Sequence, residues 1–336
     1  MIFLKNDYSV GAHPDVMKVL NDNNLVYNDS YGDDVHSARV QDQVREMTKQ
    51  PEADVHFIVG GTLTNRTCLA AFLRPYDAVV TTTEGHIAVH ETGAIEAAGH
   101  RLVELTTPDG KMRPEQIDEV AAYHNMDQMV IPKIAYISDT TELGTVYTEA
   151  ELIALREACD RNDMYLYLDG ARLGMALGSD LNDMTMADIA EITDAFYVGG
   201  NKCGALLGEM VVITNDELKK NFRYVMRQNG ALVAKASLIA MQFGALLSDG
   251  LYENLGRHCN EMGLKLAEGI VAKGYEMAYK PESNMIFPIF SKEKTAELEK
   301  EVMFQIWEEH ADHNVVRLVT SWATKDEEVE AFLELL

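Results

Sequence analysis

The chain has 336 residues, of which 47% are hydrophobic and 25% charged, a composition typical of globular proteins and sufficient for about two domains. Its net charge of −25 argues against nucleic-acid binding, which requires a basic face. The sequence contains no run of about 18 apolar residues, the length that a membrane-spanning helix needs. The four cysteines form no CxxC pair, and the N-terminus lacks a signal-peptide pattern, so we expect free thiols and a cytoplasmic location.

Short apolar segments alternate with helical patterns through most of the chain. After an N-terminal segment, residues 1–15, the strand candidates are residues 54–60, 77–83, 128–138, 164–170, 194–200 and 209–214. Several lack polar alternation, which is typical of strands buried on both faces. Between two of them, Thr148 is a predicted N-cap with Glu151 three residues later. The alternation predicts an α/β domain over residues 16–250, with a mostly parallel central sheet and helices on both faces.

The pattern changes after residue 250. A long helix over residues 253–274 precedes apolar segments at 283–290 and 315–323, with a helical pattern between them and another at the end. This order predicts a smaller C-terminal α+β domain over residues 251–336.

Lys202 lies in a glycine-rich turn between two apolar segments, 194–200 and 209–214. Most turn lysines are exposed to solvent, and a P-loop is excluded because Cys203 follows the lysine where that motif requires Ser or Thr. A third interpretation is a lysine that forms a Schiff base with pyridoxal phosphate. Burial favours loss of the amine proton, and the glycines let a flat ring approach the backbone.

Pyridoxal phosphate needs a carboxylate at its ring nitrogen and a group that binds phosphate. Asp169 follows a buried strand candidate, where ligands of parallel sheets gather, although an aspartate at a strand end is more often a helix cap or a turn residue. Gly61 and Thr62 begin a helical pattern directly after the strand candidate at 54–60. A helix N-terminus attracts phosphate, but glycines also serve simple turns.

The ring of the cofactor also needs a flat partner. His86 follows the strand candidate at 77–83 and is placed for that role. His86 and His90 have the spacing of a helix face or of a metal pair, but the segment is not HExxH, so no metal site is predicted.

Motifs along nearly the whole chain resemble those of one enzyme family. "YGDD" (31–34) is similar to its YGED motif, "GGTLTNR" (60–66) to its SGTMANQ phosphate turn, and "EGHIAVHETGA" (84–94) to its HIYxxExGG motif. "LDGARL" (168–173) is a full match, and "GGNKCGALLGE" (199–209) and "VVRLVTSWAT" (315–324) resemble its lysine and C-terminal arginine segments. The chain therefore resembles the threonine aldolases of the β-eliminating lyase family, within the aspartate-aminotransferase-like, fold type I enzymes that use pyridoxal phosphate.

The resemblance implies a role for each matching residue. The catalytic residues would be Lys202, His86 and Asp169. The cofactor would be bound by Gly61, Thr62, His86, Asp169, Arg172 and Lys202. The substrate would be bound by Arg172, Arg317 and Tyr8, with the two arginines on its carboxylate, and Glu91 would be the glutamate of the histidine motif.

Two segments depart from the family pattern. The family has ENTHN before its GGxVYP segment, whereas this chain has "ISDTTELGTVYT" (137–148), with Thr140 or Thr141 near the place of the histidine. That histidine is one of the groups proposed to handle the hydroxyl proton of the substrate. "MRQNGALVAKA" (226–236) likewise replaces the family's GGGMRQ stretch.

The activity implied by the resemblance is cleavage of a β-hydroxy-α-amino acid, threonine or allo-threonine in type, to glycine and an aldehyde. Three other reactions of the same cofactor stay open: β-elimination, racemisation and transamination. A different class of protein also stays open, a sugar- or nucleotide-binding α/β protein without catalysis. The function of such a protein would not depend on Lys202. The resemblance also implies a homodimer or homotetramer, with the segment 31–34 near the neighbouring subunit's site.

Overall fold

The computed structural model describes residues 1–336. Residues 1–138 contain eleven elements. They are β1 (Ile2–Phe3), α1 (Pro14–Asp22), α2 (Val35–Thr48), β2 (Asp54–Ile58), α3 (Gly61–Phe72), β3 (Asp77–Thr82), α4 (His86–Val89), α5 (Ala94–Ala97), β4 (Arg101–Leu105), α6 (Pro114–Tyr123) and β5 (Ile131–Ser138).

Residues 139–336 contain the remaining elements. They are α7 (Glu149–Arg161), β6 (Tyr165–Asp169), α8 (Leu173–Leu177), α9 (Met186–Ile192), β7 (Ala195–Gly199), β8 (Glu209–Ile213), α10 (Asp216–Lys219), α11 (Phe222–Gln228), α12 (Ala236–Leu246), α13 (Leu251–Ala272), β9 (Met285–Ile286), β10 (Ile289–Ser291), α14 (Lys292–Leu298), β11 (Val302–Met303), β12 (Gln305–Glu309), β13 (His313–Val319) and α15 (Asp326–Glu334).

The central sheet has seven strands in the order β2-β8-β7-β6-β5-β3-β4. The pairs from β7 to β4 are parallel, and β8 pairs antiparallel with both β7 and β2. The predicted mostly parallel sheet is therefore confirmed, and each predicted strand of the large region is present. The sequence prediction missed β4, an edge strand.

Both faces of the sheet are buried, as the apolar segments predicted. Along β5, Ala135 and Ile137 pack into one core cluster, and Ile134 and Tyr136 pack into a second cluster on the other face. Because successive side chains of a strand point to opposite faces, a strand between two helix layers is apolar at nearly every position.

The helix predicted over residues 148–163 is α7, and its N-terminus is capped as expected. Thr148 and Glu151 form a capping box, in which the Glu151 amide donates to Thr148 Oγ1 and the Thr148 amide donates to Glu151 Oε2. This box fixes the start of α7 directly after the loop that follows β5.

The C-terminal part contains antiparallel strands in the order β10-β13-β12, with β9 also paired to β13. The segment predicted at 283–290 is therefore two short strands, β9 and β10, on either side of Pro288. The N-terminal strand β1 pairs with β11, so the start of the chain joins this part of the fold.

Helix α13 crosses α8 at very short range. A Cβ atom at Gly256 would lie 1.8 Å from the carbonyl oxygen of Gly174, so only glycine permits this approach. The contact holds the end of the "LDGARL" segment against the long helix. None of the helices combines the length and apolarity that a membrane crossing needs.

Candidate active site

A cavity of about 420 Å³ opens at the carboxyl ends of the parallel strands, where parallel sheets bind their ligands. Seven of the predicted site residues line it together. They are Tyr8, Gly61, Thr62, His86, Asp169, Arg172 and Lys202. They converge because β2, β3, β6 and β7 all end near this edge of the sheet, immediately before the segments that carry most of these residues.

Lys202 lies in the turn between β7 and β8. The backbone of this turn is fixed, because the amides of Cys203 and Ala205 both donate to the carbonyl of Gly200 at 3.0 Å. Nζ of Lys202 lies 6.0 Å from the centre of the Tyr8 ring and makes no hydrogen bond within the chain. Burial and the nearby charge of Arg172 lower the pKa of Lys202 to about 8. An amine with this pKa is partly uncharged near neutral pH and can act as a nucleophile.

Asp169 ends β6 and is buried. Its carboxylate accepts hydrogen bonds from the Asn65 amide at 2.9 Å, from the Tyr136 hydroxyl, and from the backbone amide of Ala171 at 3.0 Å. Burial alone would raise the pKa of Asp169, but the charge of His86 and these hydrogen bonds lower it. The carboxylate therefore stays charged without an ion pair in the protein.

His86 begins α4, directly after β3. Its Nδ1–H donates to Oε1 of Glu91 at 2.8 Å, and Asn65 donates to the same oxygen at 2.8 Å. Glu91 thereby fixes the orientation and the tautomer of the ring, and the Nε2 atom is left for the cavity. Asn65 links this group to Asp169, since its amide donates to both carboxylates.

The N-terminus of α3 forms another wall of the cavity, with Gly60 as the N-cap residue and no side chain capping the helix. A Cβ atom at Gly61 would lie 3.3 Å from the Tyr197 hydroxyl and 3.9 Å from Glu209 Oε1, so glycine leaves room there. Glu209 accepts hydrogen bonds from the Gly200 amide at 2.8 Å and the Asn201 side chain at 2.7 Å. Burial raises the pKa of Glu209 to about 7.

Arg172 forms a buried ion pair with Asp7, a residue that the sequence analysis did not select. Its Nε and Nη2 atoms donate to the two oxygens of Asp7 at 2.7 and 3.1 Å, and Asn284 also donates to Asp7 at 3.0 Å. Nη1 of Arg172 makes no hydrogen bond within the chain and is free for a ligand. Asp7 thus joins the N-terminal segment to the "LDGARL" segment and to the C-terminal part of the fold.

Arg317 is the one predicted site residue that does not line the cavity. It lies on β13, where Nη2 donates to Gln305 Oε1 at 2.7 Å and the guanidinium lies 5.1 Å from the centre of the Trp307 ring. Burial and the charge of Arg172 lower the pKa of Arg317 to about 10, so the two arginines are close enough to repel each other.

The segment that departs from the family pattern forms the wall beside His86. Thr140 lines the cavity, and its buried Oγ1 has no hydrogen-bond partner. Thr141 points elsewhere and shares a hydrogen bond of 2.7 Å with Thr145. Glu142 also lines the cavity. Its Oε1 accepts hydrogen bonds from Ser138 Oγ at 2.7 Å and from the His86 amide at 2.9 Å.

Several residues of the site were not predicted from the sequence, although one signal in the sequence points to some of them. Tyr136 and Ser138 lie near the carboxyl end of β5, and Tyr197 lies near that of β7. Side chains with polar atoms at these ends of buried strands indicate a binding site. Asn65 and Asp7 gave no such signal, because their partners are distant in the sequence.

The donor set fits pyridoxal phosphate. Asp169 is a buried, charged carboxylate that only neutral donors contact, which suits a protonated ring nitrogen. Lys202 offers an unpaired amine, and the N-terminus of α3 offers free amide groups for phosphate. No group of three or more His, Cys, Asp or Glu side chains is placed to hold a metal ion.

The comparisons with known proteins agree with this donor set. The model of the beta-eliminating lyase family matches residues 16–293, and members of this family depend on pyridoxal phosphate. The chain belongs to the beta-eliminating lyase family and is a pyridoxal-phosphate-dependent lyase.

Individual relatives are similar over most of their length. The chain is 30% identical to the low-specificity L-threonine aldolase of a Pseudomonas species over 292 residues, which is 85% of this chain and 83% of the relative. A solved structure of Leishmania major threonine aldolase is 43% identical, with a TM-score of 0.98 over 100% of this chain and 98% of the other. Thermus thermophilus aspartate aminotransferase, 18% identical, shares the fold with a TM-score of 0.76 over 100% of this chain and 90% of its own.

Proposed function

We propose that the protein is an aldolase that cleaves a β-hydroxy-α-amino acid, threonine or allo-threonine in type, to glycine and an aldehyde. The observation that carries this proposal is the cavity in which Lys202, with its lowered pKa, shares the wall with the unpaired carboxylate of Asp169. The similar Pseudomonas and Leishmania proteins are named threonine aldolases, which supports this choice of reaction.

Lys202 would hold the cofactor covalently, Asp169 would meet its ring nitrogen, and Gly61 and Thr62 would bind its phosphate. When bound, pyridoxal phosphate supplies an electron-accepting ring that stabilises negative charge at Cα of an amino acid. His86, held by Glu91, would stack on that ring.

The arginines select the bond that breaks. Arg172 offers its free Nη1 to the α-carboxylate, while Asp7 fixes the plane of the guanidinium. Arg317 would complete the contact, because it is buried close enough to Arg172 for the two positive charges to repel each other, and a substrate carboxylate would relieve that repulsion. A carboxylate held in one orientation sets which bond at Cα is aligned for cleavage. Tyr8, half exposed at the mouth of the cavity, would contact the substrate.

We also propose a homodimer or a dimer of dimers in the cytoplasm. Leu25 is 90% exposed and Tyr27 is fully exposed, on a segment that directly precedes residues 31–34. Apolar side chains this exposed favour burial against another subunit. The four buried cysteines are free, which suits a reducing compartment. Sedimentation at working concentration tests the assembly, and a monomer would contradict it.

The products test the reaction, since each pyridoxal-phosphate reaction leaves a different set. The protein loaded with the cofactor is incubated with L-threonine and, separately, with L-allo-threonine, and the mixture is followed by NMR. We expect glycine and acetaldehyde in equal amounts. A keto acid with ammonia would indicate β-elimination, the other enantiomer racemisation, and a new amino acid transamination. Each of these outcomes, without glycine, would overturn the aldolase proposal.

A further inference from the structure

Glu142 is a buried carboxylate of the cavity wall that was not among the predicted site residues and has no role in the proposed function so far. It follows β5, and its Oε1 accepts hydrogen bonds from Ser138 and from the backbone amide of His86. Its Oε2 makes no hydrogen bond within the chain and is not enclosed by protein. Glu142 therefore presents one anchored and one free oxygen, on the same wall as His86.

No other carboxylate of the cavity wall is free. Asp169 is held by Asn65 and Tyr136, and both oxygens of Glu209 accept hydrogen bonds from the turn that carries Lys202. Glu142 thus differs from the other two by its unoccupied oxygen.

The two threonines near the place of the family histidine do not replace it. A threonine hydroxyl is a poor proton acceptor near neutral pH, and that of Thr141 is engaged with Thr145. Glu142, one residue further on, brings a carboxylate to the cavity from the same segment. A carboxylate can take up a proton reversibly, as a histidine does.

We propose that Glu142 is the catalytic base that takes the hydroxyl proton of the substrate, in place of the missing histidine. The inference rests on the proposed function. The O–H bond breaks and its proton goes to Glu142 Oε2, while its electron pair forms the second bond of the aldehyde C=O. The Cα–Cβ bond breaks at the same time, and its electron pair stays with the glycine fragment, where the electron-accepting ring stabilises it until a proton restores glycine.

The charges around Glu142 fit this role. Burial raises the pKa of Glu142 and the charge of Asp169 adds to this effect, whereas Ser138 and the charge of His86 act in the opposite direction. Arg172 and Arg317 also act on the carboxylate, and the buried hydroxyl of Tyr136 lies within range of its charge. A base must be deprotonated to act, so cleavage should fall as the pH decreases through this raised pKa.

The Glu142→Gln variant tests the proposal in the holoenzyme. Gln keeps an oxygen to accept the His86 amide but cannot take up a proton, so the ring of His86 should stay in place. We expect kcat for threonine cleavage to fall by about 10²-fold or more, since general bases contribute about 10²–10⁴-fold. We expect KM and the absorbance of the bound cofactor to be nearly unchanged, and the acidic limb of the pH profile to disappear.

A second reaction separates the base from the rest of the site. Exchange of the Cα proton of glycine in D₂O, followed by NMR, needs Lys202 and the cofactor but no hydroxyl proton acceptor. Glu142→Gln should retain this exchange near the wild-type rate. As a second variant, Glu142→Ala should lose cleavage and regain part of it when formate is added.

The outcomes are distinct. Cleavage by Glu142→Gln within a factor of about three of wild type overturns the proposal, and so does Glu142→Ala that formate does not rescue, since both point to a structural role. Wild-type protein that exchanges glycine but releases no aldehyde from any β-hydroxy amino acid defeats the proposed function, and this inference with it.

Discussion

The ion pair between Asp7 and Arg172 should dominate the stability of the site, and Asp7→Asn tests this directly. Asp7 is fully buried and Arg172 is 8% exposed. The substitution keeps the volume of the side chain but leaves the guanidinium without its counter-charge. Breaking a buried pair from one side costs about 3–5 kcal/mol, a large share of a total of about 5–15 kcal/mol.

The pH dependence of this loss has a defined sign. Burial opposes the charged form of Asp7, but the charges of Arg172 and Lys202 outweigh it and lower the pKa of Asp7 below 3.8. A carboxyl group whose pKa is lower in the folded than in the unfolded state stabilises the fold above the unfolded pKa. The difference between wild type and Asp7→Asn should therefore be complete at neutral pH and shrink as the pH falls below 3.8.

Equilibrium urea unfolding of the apoprotein, followed by circular dichroism, measures the effect. With an m-value of about 3 kcal/mol/M, the midpoint of Asp7→Asn should be lower by about 1–1.7 M. Asp22→Asn is the matched control, because Asp22 pairs with Lys18 at 2.7 Å but is 53% exposed, and such pairs contribute less than about 1 kcal/mol. Equal midpoints for the two variants would refute the reasoning.

Two further predictions concern the cofactor site. The rate at which the apoprotein binds pyridoxal phosphate covalently, followed by absorbance, should rise as the pH increases through about 8, where Lys202 loses its proton, and then level off; a rate that does not change around this pH would contradict the assignment. Gly61→Ala should weaken cofactor binding in a fluorescence titration by about 10-fold or more, because a Cβ would lie 3.3 Å from the Tyr197 hydroxyl and take up room in the cavity. The fold should lose little stability, because alanine is favourable in a helix. Gly244→Ala is its matched control, since that Cβ also meets its nearest atom, of Val40, at 3.3 Å; equal affinities would show that phosphate does not bind at Gly61.

The sheet could be predicted from the sequence wherever its strands are buried on both faces. The segment "DAVVTTT" is apolar or small at nearly every position, and it became β3. Strand β4 was missed because "RLVEL" lies at the edge of the sheet, where Arg101 and Glu104 are exposed. The antiparallel direction of β8 could not be predicted from its sequence either, because a buried strand is equally apolar in a parallel and in an antiparallel pair.

The candidate site divides in the same way. Asp169 ends a buried strand, and Lys202, His86 and Gly61 each follow one, so the topology alone brings them to one edge of the sheet. Asp7 could not be found, because its partner Arg172 lies 165 residues away in the sequence. Contacts of this kind depend on how the two ends of the chain pack together.

The pairing of Arg172 also shows what a motif match leaves open. "LDGARL" matched fully and predicted an arginine for the substrate carboxylate, and the structure places that arginine in the cavity wall. The motif does not predict that two nitrogens of this guanidinium already donate hydrogen bonds to Asp7. A ligand can therefore approach the guanidinium of Arg172 from fewer directions than the motif alone suggests.

The most direct test of the account is aldehyde release by the protein loaded with pyridoxal phosphate. Acetaldehyde is measured with L-threonine and with L-allo-threonine, for wild type, for Lys202→Ala, and for Lys273→Ala, an exposed lysine at the end of α13. The account predicts release from at least one isomer, full activity in Lys273→Ala, and none in Lys202→Ala. Release that survives in Lys202→Ala, or no release from protein that visibly holds the cofactor, would contradict it.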